Sequence, residues 1–381
     1  LAQTKPGNGN PYYRQVHGFA THEQFLQYQA LVQKYKDMKL GRKETRPSLV
    51  GLEWVAHNKR SYPETTTASN IIGFYKYLDR TEGTGYYGVE ETYNTLLAGT
   101  PQIVDIVMNP QVLSMLEDIP SGADLELTFV REIQAMAEEE LDAAIEWSGA
   151  KGGSILIYNP KNGEIIAMAN TPRLDLNEYW NYGELFPSPE PFNPTISKPY
   201  EPGSVFKTIT VAIALDSGAI AYDQIYDDPG TYTIGGHTIR NWDYGAYGEV
   251  SITDCMRHSL NTCMVWMAEE IGPDTFYAYL KAFGFDQKTG IDLGGETHFP
   301  LKVPGKGGWA EVDLATNAFG QGLSVTPIQM AMAVGALANE GKMYVPHIVK
   351  AVIIDGKRYE VDPVLAGTPV TADTARKVTE M

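Results

Sequence analysis

Behind the turn Pro202-Gly203 the apolar residues come too thickly for a single stripe. Val205, Phe206, Ile209, Val211, Ile213 and Leu215 spread round a helix that is apolar on nearly every side. Such a helix is predicted to lie buried in a large domain, with Gly218 as its stop. Upstream, Asp124–Thr128 alternates as a short strand. Ile133, Met136, Ala137, Leu141, Ala144 and Ile145 then mark an amphipathic helix over Val130–Trp147. Ser154–Tyr158, the turn Asn159-Pro160-Lys161-Asn162-Gly163 and Glu164–Ala169 read as a hairpin. Strand, helix and hairpin in this order open an α+β domain with helices packed on an antiparallel sheet.

The N-terminal part is mixed. A helix is predicted over Thr21–Met38, with strands at Leu52–Ala56 and Ile71–Tyr77 on either side of the loop Arg60-Ser61-Tyr62-Pro63. A glycine-rich turn at Gly83–Gly88 and a helical Val89–Leu97 follow. Two domains are expected, 1–122 and 123–381. Residues 171–199 are rich in Pro, Asn and Tyr and form a long loop leading into the buried helix. Ser251-Ile252-Thr253-Asp254 caps a short helix that ends near His258-Ser259-Leu260-Asn261, and a second helix leaves over Thr262–Ile271. The run Gln329–Leu337, with its methionines, is helix core.

The chain has 381 residues, 43% hydrophobic and 20% charged, as in folded globular proteins, and is too long for one ordinary core. The net charge of −17 argues against nucleic acid and anionic lipid as partners. Cys255 and Cys263 are too few for a disulfide framework and are expected as small unpaired residues. Seven scattered histidines without H-E-x-x-H or a Cys/His cluster give no metal site. No stretch has the length and apolarity of a membrane span, and no signal peptide is visible. The abrupt start at Leu1 suggests an anchor ahead of it.

Chemistry concentrates at Ser204 and Lys207. The serine stands at a helix N-terminus, where free N–H groups favour developing negative charge. The lysine lies one turn on, on the same face. An amine walled in by apolar side chains loses solvation, its pKa falls, and it becomes a base that can activate the serine. On S-x-x-K alone, a capping serine and a snorkelling lysine are the commoner reading. Ser148-Gly149-Ala150-Lys151 has the same letters but opens no helix. Ser259-x-Asn261, between two helices, can set a hydroxyl and an amide side by side over a cleft. Trp242 would line the groove or pack as a core residue. Glu201 and Asn193 are expected as solvated loop residues, and Tyr86 and Tyr87 as packing.

S-x-x-K opening a buried helix, with S-x-N at a helix junction downstream, belongs to the motif set of β-lactamases and penicillin-binding proteins. The chain resembles a class B penicillin-binding protein, a peptidoglycan transpeptidase. Arg60-Ser61-Tyr62-Pro63, Gly85-Tyr86-Tyr87-Gly88-Val89-Glu90 and Gly163-Glu164-Ile165-Ile166-Ala167-Met168 match that family. So do Phe283-Gly284-Phe285, Thr289-Gly290-Ile291-Asp292-Leu293, Ala318-Phe319-Gly320-Gln321-Gly322 and Ser324-Val325-Thr326-Pro327-Ile328-Gln329-Met330. The resemblance implies the penicillin-binding transpeptidase fold, an N-terminal pedestal domain and no cofactor. It makes Ser204 the nucleophile toward a D-Ala-D-Ala stem peptide and Lys207 its base. Ser259 becomes the proton shuttle, Asn261 the substrate-amide contact, and the Ser204 N–H half of an oxyanion hole.

Peptidoglycan stem peptides, β-lactam antibiotics and a membrane glycosyltransferase of the SEDS type are the implied partners. The implied place is the outer face of the cytoplasmic membrane, with an N-terminal anchor. The family's third motif, K-T-G, should follow Phe319-Gly320-Gln321-Gly322, and the sequence stops at Met381 before it. A continuation is therefore expected, since a chain ending there would lack sheet strands and fail to acylate. Lys288-Thr289-Gly290 has the letters in the wrong place and reads as a structural turn. A β-lactamase is disfavoured by the N-terminal domain and the lack of an E-x-x-L-N segment. A non-catalytic scaffold or sensor is the third alternative.

Overall fold

The computed structural model describes residues 22–41, 44–49, 52, 60–77, 83–99 and 122–381. The expected strand Leu52–Ala56 falls almost wholly outside them. Packing divides the chain into two compact units, 1–59 and 60–381. The expected boundary at 122/123 lies beside residues that are not described, whereas the break in packing comes after Lys59. The first unit holds helix α1, His22–Asp37, among its described residues.

In the second unit, α2 (Ser69–Ile72) precedes β1 (Phe74–Tyr77), which pairs antiparallel with β2 (Gly83–Tyr86), Phe74 opposite Tyr86. The single strand expected over Ile71–Tyr77 is split by Gly73, at φ +76°. A Cβ there would lie 2.0 Å from the Tyr87 carbonyl oxygen. The expected turn at Gly83–Gly88 is mostly strand, because Gly85 lets the backbone of Glu90 come closer than a side chain permits. Helices α3 (Gly88–Thr92) and α4 (Asn94–Leu97) follow, separated at Tyr93.

Next come β3 (Asp124–Leu127), α5 (Arg131–Ser148) and the antiparallel hairpin of β4 (Ser154–Tyr158) and β5 (Ile165–Asn170), close to the expected bounds. The element bearing Ser204 begins as a 3₁₀ turn, Gly203–Phe206, and continues as α6, Lys207–Asp216. Four short strands, β6 (Ile225–Asp228), β7 (Thr231–Ile234), β8 (His237–Arg240) and β9 (Gly248–Ser251), pair as β6–β9 and β7–β8. Helix α7 (Ile252–Arg257) is capped by the Ser251 hydroxyl, which accepts from the Asp254 N–H. Helix α8 spans Asn261–Ile271, α9 Pro273–Ala282, α10 Glu311–Ala318 and α11 Pro327–Ala338. Strand β10 (Val349–Ile354) lies between β11 (Lys357–Glu360) and β3, antiparallel to both, and α12 (Ala372–Glu380) follows. The hairpin is tied to this sheet by Ile165 N–H to His347 O and Val130 N–H to Ile166 O. The architecture is α+β.

Ile209, Val211 and Ile213 of α6 are fully buried and share one core with Met264 of α8, Ala315 of α10 and Ala375 of α12. Each such aliphatic side chain contributes about 1.5–3 kcal/mol on burial, so α6 is firmly anchored in this core.

Candidate active site

Ser204 stands exposed on the 3₁₀ turn, and Lys207, one turn on, is only 2% exposed. The Lys207 Nζ donates to the Ser259 carbonyl oxygen at 2.7 Å, the Ser259 Oγ at 2.9 Å and the Asn261 Oδ1 at 2.8 Å. Both sequence motifs therefore meet on one amine. Burial pulls that amine down to about 8.

Ser259 sits in the corner between α7 and α8 at φ +54°, a backbone region that a residue with a Cβ rarely adopts. The corner is held by Ser259 N–H to Met256 O at 3.0 Å and Leu260 N–H to Cys255 O at 2.9 Å. Cys255 and Cys263 form a disulfide across it, contrary to the expectation that they stay unpaired. Their separation of eight residues carries no pairing signal; the bond exists because the corner folds α8 back toward α7.

Asn261 opens α8. Its Nδ2 donates to the Arg240 carbonyl at 2.9 Å while its Oδ1 receives Lys207. Trp242 is 69% exposed, and its Nε1 donates to the His258 carbonyl, next to Ser259. It is thus no core residue. Glu201 is exposed and accepts the Gly322 N–H at 3.0 Å. Asn193, expected in solvent, is buried, bonded to the Asn70 carbonyl and to Asn170, because the 171–199 loop is packed down by its aromatic residues. Tyr86 and Tyr87 do pack, Tyr86 on Phe74 and Tyr87 on Tyr182 and Phe192. Lys288-Thr289-Gly290 is a turn whose Thr289 and Gly290 N–H groups both donate to the buried Glu296.

Among the described residues no cluster of His, Cys, Asp or Glu is placed to hold a metal. Nor is any of their helices long and apolar enough to cross a membrane.

Residues 153–381 match the penicillin binding protein transpeptidase domain. The chain belongs to that family. Stage V sporulation protein D of Bacillus subtilis is 35% identical over 302 residues, 76% of this chain and 45% of that protein. Peptidoglycan D,D-transpeptidase FtsI of Escherichia coli is 29% identical over 300 residues, 77% of this chain and 48% of that one. Penicillin binding protein 3 of Mycobacterium tuberculosis, solved with aztreonam, superposes with a TM-score of 0.70 at 30% identity. That match covers 84% of this chain and 67% of the solved one. The chain spans about half the length of the curated relatives it matches.

Proposed function

We propose that the protein is a peptidoglycan D,D-transpeptidase that works through an acyl-enzyme on Ser204 and is acylated irreversibly on the same atom by β-lactams. The carrying observation is the convergence of Ser259 and Asn261 on a desolvated Lys207 one turn from an exposed serine. In its neutral form Lys207 takes the Ser204 proton as Oγ attacks the penultimate D-Ala carbonyl of a stem peptide. Ser259, hydrogen-bonded to the same amine, relays a proton to the departing D-Ala nitrogen. The carbonyl–nitrogen bond breaks and the acyl chain stays on Ser204. The Ser204 N–H receives the developing oxyanion. An amine from a second stem peptide then attacks, forms the cross-link and releases Ser204.

Asn261 steadies Lys207 and turns its amide toward the acyl chain when substrate enters, and exposed Trp242 walls the groove beside Ser259. The reaction takes place at the outer face of the cytoplasmic membrane, where stem peptides are found. The N-terminal segment serves as a pedestal, anchored by a preceding helix and docking a glycosyltransferase of the SEDS type.

The test is intact mass before and after excess penicillin, with peptide mapping. A stable adduct on Ser204, absent from Ser204→Ala, is expected. No adduct on the wild type would overturn the catalytic reading in favour of a scaffold, and an adduct lost within seconds would favour a β-lactamase.

A further inference from the structure

Asp228, the last residue of β6, is 1% exposed, and the donors in the hydrogen-bond network that holds it are backbone N–H groups, a hydroxyl and an amide. Its Oδ1 accepts from the Gly230 N–H at 3.0 Å and the Thr262 hydroxyl at 2.7 Å. Its Oδ2 accepts from the Asn241 Nδ2 at 2.9 Å and the Tyr247 N–H at 3.1 Å. Four donors converge on the two oxygens of one carboxylate.

What those donors carry matters more than their number. Thr262 follows Asn261 at the start of α8, and its N–H is received by the Asn241 Oδ1 at 3.3 Å. Asn241 follows Arg240, whose carbonyl takes the Asn261 Nδ2, and precedes Trp242. Asn241 also donates to the Gly245 carbonyl at 3.1 Å, and so pins the loop that bears Trp242. The path from Asp228 thus reaches both anchors of Asn261, its own backbone through Thr262 and its side-chain amide through Arg240. Asn261 in turn holds Lys207.

We infer that Asp228 is a positioning residue for Ser204 acylation: its buried carboxylate clamps β6, the Trp242 loop and the first turn of α8 together, and so sets where Asn261 holds the Lys207 amine. Asp228 touches no reacting atom. The inference rests on the reading of Ser204 and Lys207 as nucleophile and base.

The informative substitution is Asp228→Asn, which keeps size and shape but turns an amide's N–H groups toward two of the four donors. Two measurements are made on the full chain. The first is the rate of acylation of Ser204 by a fluorescent penicillin in Asp228→Asn, Asn261→Ala and the double variant. A displaced base costs about tenfold to a hundredfold, so Asp228→Asn should slow acylation by that much. Because the two residues act as a unit, the double variant should be no slower than Asn261→Ala alone. Losses that multiply would overturn the inference, since a general loosening of the fold adds to the loss of Asn261.

The second measurement is amide hydrogen exchange over 240–247 and 258–264, with Glu296→Gln as the control. Glu296 is also a buried carboxylate receiving backbone N–H groups, but in the Thr289–Gly290 turn. Faster exchange in both segments in Asp228→Asn, and in neither in Glu296→Gln, is the expected result. Unchanged exchange in Asp228→Asn sinks the clamp. If the wild type takes no adduct on Ser204, the catalytic reading falls, and the exchange data still decide whether Asp228 fixes Asn261.

Discussion

Lys207 has three N–H bonds as an ammonium and three acceptors within 2.9 Å, so the cation is fully satisfied in the resting site. It cannot take a proton from Ser204 until it has lost one. Burial favours that loss and brings the amine down to about 8, against an ordinary lysine value above 10. The sign follows directly. The reactive form is the neutral amine, so acylation of Ser204 should rise with pH, with its midpoint near 8 and a plateau above. Stopped-flow acylation between pH 6 and 10 checks this, and a rate that falls with rising pH would exclude Lys207 as the base. Stability carries the same sign, because between about 8 and the unfolded lysine value only the unfolded chain holds the proton, and folding gains as pH rises through that window. Lys207→Ala should cut acylation by about 10²–10⁴-fold, the usual contribution of a positioned base. Ser204 and Lys207 were legible from the sequence because they lie one helical turn apart and the apolar helix around them is itself a readable pattern. The bonds from Asn261 to Arg240 and from Thr262 to Asp228 span 21 and 34 residues, with no periodicity to announce them.

At the scale of elements, the turn bearing Ser204 is held from the other side by the segment Phe319–Val325. The Gly203 N–H donates to the Gly320 carbonyl at 2.9 Å, and Tyr200 and Val325 exchange backbone hydrogen bonds. Gly320 has φ +80°, and a Cβ there would sit 2.1 Å from the Gly203 carbonyl oxygen, one residue from Ser204. Gly320→Ala must push the two segments apart. Overpacking of this kind costs about 1–3 kcal/mol, and the left-handed backbone adds to it. A lower Tm together with slower acylation of the folded protein is the expected outcome; a normal acylation rate would show that Ser204 tolerates movement of its neighbour. The glycine in Ala318-Phe319-Gly320-Gln321-Gly322 could be picked out by family likeness, but its reason is a close approach between segments over a hundred residues apart. Helix α5 and the β4–β5 hairpin were legible within a residue or two because their apolar spacing and turn residues lie within the segment itself. The break at Gly73 and the Cys255–Cys263 pairing were not, since each is decided by what another segment brings alongside.

At the scale of the whole molecule, the described residues of 60–99 are built into the same unit as α6. Arg60 and the Tyr62 hydroxyl donate to Glu90, while the Tyr62 backbone exchanges hydrogen bonds with the Asn177 side chain. Phe74, Tyr87, Tyr182 and Phe192 pack into one aromatic cluster. A further stitch is Asp292, which accepts the Tyr93 hydroxyl at 2.9 Å and the N–H groups of Ile348 and Val349 at 2.6 and 2.9 Å. One carboxylate thus joins α3's end to the entry of β10, the strand at the centre of the three-stranded sheet. Segments joined this way should unfold together, so 60–99 and 123–381 are expected to share a single thermal transition. Asp292→Ala removes the acceptor from two part-buried amides, each costing about 1–3 kcal/mol when left unpaired. A loss of about 2–6 kcal/mol is therefore expected in a denaturant melt. Because no shared partner links Asp292 to Ser204, Lys207 or Ser259, acylation of the protein that remains folded should stay within about twofold of wild type. Two separate transitions in Asp292→Ala, with 60–99 exchanging its amides first, would instead mean that this segment is a semi-independent layer that Asp292 alone fastens to the sheet.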